Sequence, residues 1–153
     1  MLPVLTMSPF SGLTDDRQAE ADDLIQATIG WAEMRPDIRA LAIVGSWARK
    51  SATMTSDVDL VVLTVDVDRY VSTDDWWSFL GPAEPIRTTR WGVLVERRIG
   101  LPSGLEVEFG IASLSWAGTD PPDPGVQAVV RDGLRILYDP DDLLVSLVGT
   151  SER

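Results

Sequence analysis

Two aspartates separated by one residue, Asp57 and Asp59, open an apolar run that continues through Val61, Val62 and Leu63. On an extended strand the side chains alternate faces, so both carboxylates point the same way. Two such charges repel unless a cation lies between them or one is protonated, and a hard divalent ion held by carboxylate oxygens is the ordinary remedy. Acid pairs are commonplace on the surface of a chain with 24 acidic residues. This one sits at the mouth of a buried segment, where idle charges are costly. Upstream, Gly45-Ser46 follows the apolar run Ala40 to Val44. A glycine there lets the backbone approach a ligand closely, and the serine hydroxyl and the free amides of the turn can donate to a phosphate oxygen. Arg49 and Lys50 add positive charge where a polyphosphate would lie.

The elements that position these residues are readable in outline. Thr14 before Asp15 and Asp16 marks a helix start, and Leu24, Ile25, Thr28, Trp31 and Ala32 recur at helical spacing until Pro36 forces an end. Ala40 to Val44 reads as a buried strand entering a tight turn at Gly45, and Val58 to Val65 as a central strand covered on both sides. Ser72 to Asp75 before Trp76, Trp77, Phe79 and Leu80 suggests a short capped helix. Val93, Val95 and Ile99 share one parity, and Leu105, Val107, Phe109 and Ile111 alternate with polar residues. With a turn at Leu101 to Gly104, residues 92–111 are expected to form an antiparallel hairpin. Val126 to Val130 reads as helix, Arg135 to Tyr138 as a last strand, and Pro140 to Leu147 as a final helix capped by Asp139. The order implies an α/β (α+β) layer structure with a small mixed sheet flanked by helices. No G-x-G-x-x-G follows the first strand, which excludes the dinucleotide-binding fingerprint.

Composition narrows the chemistry. A chain of 153 residues suits a single domain, expected over 1–153. It has no cysteine and no histidine, which removes thiolate and imidazole nucleophiles, histidine bases and the usual zinc sites. Chemistry must run on carboxylates, hydroxyls, Lys, Arg or a hard metal ion. The net charge of −11 makes nucleic acid an unlikely partner and favours a cationic or small polar substrate. No run is long enough to span a bilayer and MLPVLTMSPF lacks the basic flank of a secretory signal, so no membrane partner and a cytoplasmic location are expected. Most of the tryptophans read as core or contact-surface anchors.

A Gly-Ser pair, ten intervening residues, and then D-x-D followed by apolar residues resembles the signature of the DNA polymerase β-type nucleotidyltransferase superfamily. Its minimal bacterial members include antitoxins that pair with HEPN toxins, and its larger members include aminoglycoside nucleotidyltransferases. The resemblance implies the palm-like nucleotidyltransferase fold, with Gly45 and Ser46 on the triphosphate of ATP or another NTP, and with Arg49 or Lys50 beside the leaving phosphates. It implies magnesium, two ions, on Asp57, Asp59 and a third carboxylate from a neighbouring strand. Glu106 and Glu108 compete for that third place. With the turn centred on Pro102, Glu106 falls opposite Arg97 or Arg98 and is explained by a cross-strand ion pair; Glu108 has no such partner and is the expected ligand. The reaction implied is attack of a hydroxyl, on a small molecule or a partner protein, on the α-phosphorus of an NTP with pyrophosphate leaving, and AMP is the expected group transferred. A minimal enzyme of this kind is expected to act with a partner such as a HEPN-type toxin or as a homodimer. The alternative is an antitoxin-like module that binds nucleotide or sequesters a partner without efficient catalysis.

Overall fold

The structure, a computed structural model, describes residues 13–151. The opening decapeptide considered above as a signal lies outside them.

The hydroxyl of Thr14 accepts the amide of Arg17 at 3.1 Å and starts α1 (Asp15–Glu33), whose buried stripe includes Leu24, Ile25, Thr28, Trp31 and Ala32. Beyond Pro36 the chain enters β1 (Ile38–Val44) and then a single helical turn, α2 (Gly45–Ala48). A loop leads to β2 (Val58–Thr64), followed by α3 (Val67–Ser72). Three antiparallel strands come next: β3 (Glu84–Trp91), β4 (Leu94–Gly100) and β5 (Glu106–Ala112). α4 (Pro124–Asp132), β6 (Leu134–Tyr138) and α5 (Leu143–Ser151) complete the order. The six strands form one mixed sheet, β3-β4-β5-β2-β1-β6, in which only β2 and β5 run parallel. No helix among the described residues is long and apolar enough to cross a membrane.

Alternation divides the sheet into two unlike faces. On one, Leu41, Ile43, Leu60, Val62, Ile99, Val107, Phe109 and Ile111 pack beneath α1 and α3. Trp31, Tyr70, Trp76 and Phe79 fill the gap, with Trp76 edge-on to Phe109 at 4.9 Å between ring centroids. Each large apolar side chain buried here contributes about 1.5–3 kcal/mol. On the other face Ala40, Ala42, Val61, Leu63 and Ala112 are small enough for α4, α5 and Trp116 to settle close. That cover stops short of the opening residues of β2 and β5, where the polar side chains lie.

Three expectations need correction. The helix read between Ser72 and Leu80 is not there: α3 ends at Ser72, Trp76 and Trp77 form a turn, and a 3-10 turn covers Ser78–Leu80. Both tryptophans are buried sideways into the aromatic layer, a geometry that a continuous helix would not give. Val93 does not continue a strand; it stands exposed in the tight turn Trp91-Gly92-Val93-Leu94 that joins β4 to the additional strand β3. The last helix starts at Leu143, not Pro140, because Asp142 adopts a left-handed φ of 57°. Asp139 still receives the first amides, those of Leu143, Leu144 and Val145.

Candidate active site

Gly45 and Asp59 are fitted to each other. Val44 pairs with Asp59 across β1 and β2, and Gly45 turns away at a φ of +73°. A Cβ at Gly45 would lie 2.7 Å from Asp59 Oδ2, so both the backbone angle and the space require glycine. Ser46 follows, half-buried, and its carbonyl accepts the amide of Ser51 at 2.8 Å to close the turn.

Asp57 stands just before β2 and Asp59 is its second residue. The parallel register sets Asp59 beside Glu108 of β5 on the same face. One oxygen from each of Asp57, Asp59 and Glu108 lies within 4.8 Å of the others. At the centre of the group is Arg98, from β4: Nη1 donates at 2.6 Å to Asp57 Oδ2 and at 2.6 Å to Glu106 Oε1, while Nη2 donates to Glu108 Oε1. Asp59 Oδ1 is buried with no hydrogen-bond partner among the described residues.

The electrostatics follow from this crowding. Burial, aided by the charges of Asp57 and Glu96, raises the proton affinity of Asp59, against the opposing hydrogen bond from Glu108. Glu108 is raised chiefly by burial and then by Asp59, and Glu96 by burial and then by Glu108. Arg98 is disfavoured by burial, but Glu106, Asp57 and Glu108 outweigh that and hold its charge firmly. The carboxylates form the polar end of a cleft of about 430 Å³ whose other walls include Trp91, Leu94, Trp116, Val126 and Val129.

The structure brings together Gly45, Asp57, Asp59 and Glu108. It does not bring Arg49 and Lys50 to that group, of which Asp59 and Glu108 line the cleft. Arg49 Nη1 donates to Asp132 at 2.6 Å, and Lys50, with a φ of 60°, lines a separate hollow with Trp47 and Arg135. The assumed pairing of the two glutamates is corrected. Arg98 stands opposite Glu108, and Glu106 opposite Gly100, so Glu108 does have a cross-strand partner, and Arg98 reaches both acids. Arg97, the other partner considered, points to the opposite face. The role of Arg98 and the presence of Glu96 were missed; both share the parity of Glu108 once β4 is set in register against β5.

The family model of streptomycin adenylyltransferase matches residues 19–91, a stretch that holds most of α1, the Gly45-Ser46 turn and the aspartate pair. The fold agrees with that match: the structure of Cid1 in complex with the UTP analogue UMPNPP aligns with a TM-score of 0.50 and 13% identity, covering 78% of this chain and 35% of that one. Over that stretch the chain is similar to the streptomycin adenylyltransferase family, and its fold is the nucleotidyltransferase fold. Alongside stand a cytoplasmic RNA terminal U-transferase, at a TM-score of 0.49 and 17% identity over 66% of this chain and 31% of that one, and Cid1 poly(U) polymerase bound to Mg 3'-dATP, at 0.49 and 18% over 65% and 32%. The chain therefore spans about a third of the length of those solved proteins. No curated protein sequence matches it.

Proposed function

We propose that the chain is a nucleotidyltransferase that moves a nucleoside monophosphate, AMP from ATP, to a hydroxyl of a small molecule or of a partner protein, with magnesium held by Asp57, Asp59 and Glu108. One observation carries the reading: the glycine that opens the phosphate turn is in contact with Asp59, which leaves no room for a Cβ between turn and carboxylate. Triphosphate and metal sites then adjoin. The donor set suits a hard divalent ion, since three carboxylates converge and one buried oxygen of Asp59 has no hydrogen-bond partner among the described residues.

Two magnesium ions, when bound, would supply the charge that acidifies the acceptor hydroxyl and neutralises the departing phosphates. The chain's own residues do the rest. The acceptor oxygen forms its bond to the α-phosphorus as the α–β bridge breaks and pyrophosphate leaves, and its proton passes to Glu108. Ser46 donates its hydroxyl to a phosphate oxygen, and Gly45 lets the triphosphate lie against the backbone. The acceptor is cationic or neutral and not a nucleic acid: the charged residues lining the cleft are Asp59, Glu96, Glu108 and Asp123, all acids that repel phosphodiesters.

Incubation with labelled ATP and magnesium tests this directly. Pyrophosphate release or label transfer is expected in the wild type and absent in Asp57→Ala and Asp59→Ala; a wild type without metal-dependent nucleotide binding sinks the proposal. The position of Arg98, bonded to two of the three ligands, favours a second reading as an antitoxin-like module that binds nucleotide, or holds a HEPN-type toxin or a second copy of itself, without efficient turnover. That reading expects nucleotide binding with no pyrophosphate.

A further inference from the structure

Arg98 offers its guanidinium to oxygens that a divalent ion would need. Nη1 holds Asp57 and Nη2 holds Glu108, two of the three converging carboxylates. The third contact, to Glu106, involves an acid outside that group of three and at the exposed rim. A cation and a guanidinium cannot both occupy the space among these oxygens, because like charges a few ångströms apart repel and each needs the same lone pairs. Arg87 adds to this repulsion: it lies opposite Arg98 on β3, with Nη2 4.0 Å from the same Glu108 oxygen.

We infer that Arg98 is an exchangeable counter-ion for the carboxylate group: it neutralises Asp57 and Glu108 before the metal arrives, and then withdraws onto Glu106 when a divalent ion enters. The two glutamates of β5 thereby have separate tasks, Glu108 for the ion and Glu106 for the displaced arginine. The exchange sets the affinity for the ion, since every binding event must break two charged hydrogen bonds. Withdrawn to the rim, the guanidinium keeps its pairing with Glu106 and stays beside the ion, where the phosphates of a nucleotide would meet it. This inference rests on the metal-site reading above.

The test is calorimetric titration of the full chain with Mn2+, together with thermal midpoints with and without it, for wild type, R98M, E106Q and the double variant. R98M is expected to bind Mn2+ at least about tenfold more tightly than wild type, since a competing charge is gone, while its metal-free midpoint falls because the acids lose their counter-ion. E106Q is expected to weaken binding more in wild type than in R98M, because only wild type needs the parking acid. A loss of packing alone predicts the reverse, a weaker Kd in R98M, and that result or an unchanged Kd overturns the inference while leaving the metal site intact. Equal effects of E106Q in both backgrounds overturn the role of Glu106. If neither wild type nor R98M binds Mn2+, or if R98M retains binding after Asp57→Ala, the metal-site reading falls and takes this one with it. Should R98M fail to fold, R98K replaces it: a lysine cannot bridge both carboxylates with one planar fork, so its Kd is expected below that of wild type, and a Kd equal to or above it is contrary.

Discussion

Arg97 and Arg98 are neighbours on one strand, and they show how a charge can be fixed or left exchangeable. Arg97 turns to the aromatic face, donates to the carbonyls of Tyr70, Val71 and Thr73 at 2.8, 3.2 and 3.0 Å and to Asp74, and lies over the ring of Trp77. It ties off the end of α3, and its carbonyl partners are backbone groups that no soluble cation competes for. Arg98, on the opposite face, has carboxylates as its partners. Those acids attract any cation that enters. The same contrast runs through the whole sheet: one face is closed by stacked rings, and the other keeps five acids, Asp57, Asp59, Glu96, Glu106 and Glu108, around Arg98, with Arg87 at their edge.

The sharpest way to break this comparison is to replace one residue from each face. Asp59→Asn is expected to lower pyrophosphate release by at least about a hundredfold, because charge stabilisation at a bound ion amounts to several kcal/mol. Its metal-free midpoint should rise, since the substitution removes a buried charge with an unpartnered oxygen. A parallel loss of activity and stability would show that the acid is structural. Trp76→Ala, on the closed face, is expected to do the opposite: about 3–5 kcal/mol of unfolding free energy lost, read by denaturant titration, with Mn2+ affinity retained wherever the protein is still folded. Trp76 is 1% exposed and packs against Trp31, Tyr70, Trp77 and Phe109.

The split between faces was partly legible in the sequence. Parity put Asp57 with Asp59 and Glu106 with Glu108 because strand alternation is strict, while only the family resemblance joined the two pairs; α1 was legible because its cap, acidic first turn, apolar spacing and following proline all agree. The register between β4 and β5 was not. The turn spans Leu101 to Leu105, so Glu106 meets Gly100 and not Arg98. A slip of two leaves every side chain on its proper face, which is why Glu108 still falls beside Asp59 although its assumed lack of a partner was wrong. β3 carries no apolar alternation, since nearly all its residues are exposed and it is held by its ladder to β4. α3 buries only Tyr70, too little for a helical period to show, whereas the adjacent Trp76 and Trp77 mimic one.

Proton linkage sharpens the contrast further. Asp59, Glu96 and Glu108 are each shifted upward, chiefly by burial, so they hold protons in the folded state at pH values where the unfolded chain has released them. Stability from these groups is present at or below the ordinary carboxylate range and is lost as pH rises through their raised values. The metal-free thermal midpoint is therefore expected to rise on mild acidification from neutrality. Asp141 works in the other sense, lowered by its hydrogen bond from Arg39, and its contribution is lost only as pH falls below the ordinary range. Saturating Mn2+ should flatten the first effect, and a midpoint that falls steadily from neutrality to mild acid with no metal present would count against the buried carboxylates.

The smallest expected effect comes from the tryptophan that the open face leaves in solvent. Of the six tryptophans in the chain, Trp91 is 62% exposed, at the tip of the β3–β4 turn, and the other five are buried. Trp91→Ala should change unfolding free energy by no more than about 0.5 kcal/mol, as for surface substitutions generally. The same variant should remove the iodide-quenchable part of the tryptophan emission, because no other indole is open to a solute. Loss of several kcal/mol would mean that the hairpin tip is packed against something in solution, and the open wall of the cleft would then be a closed one.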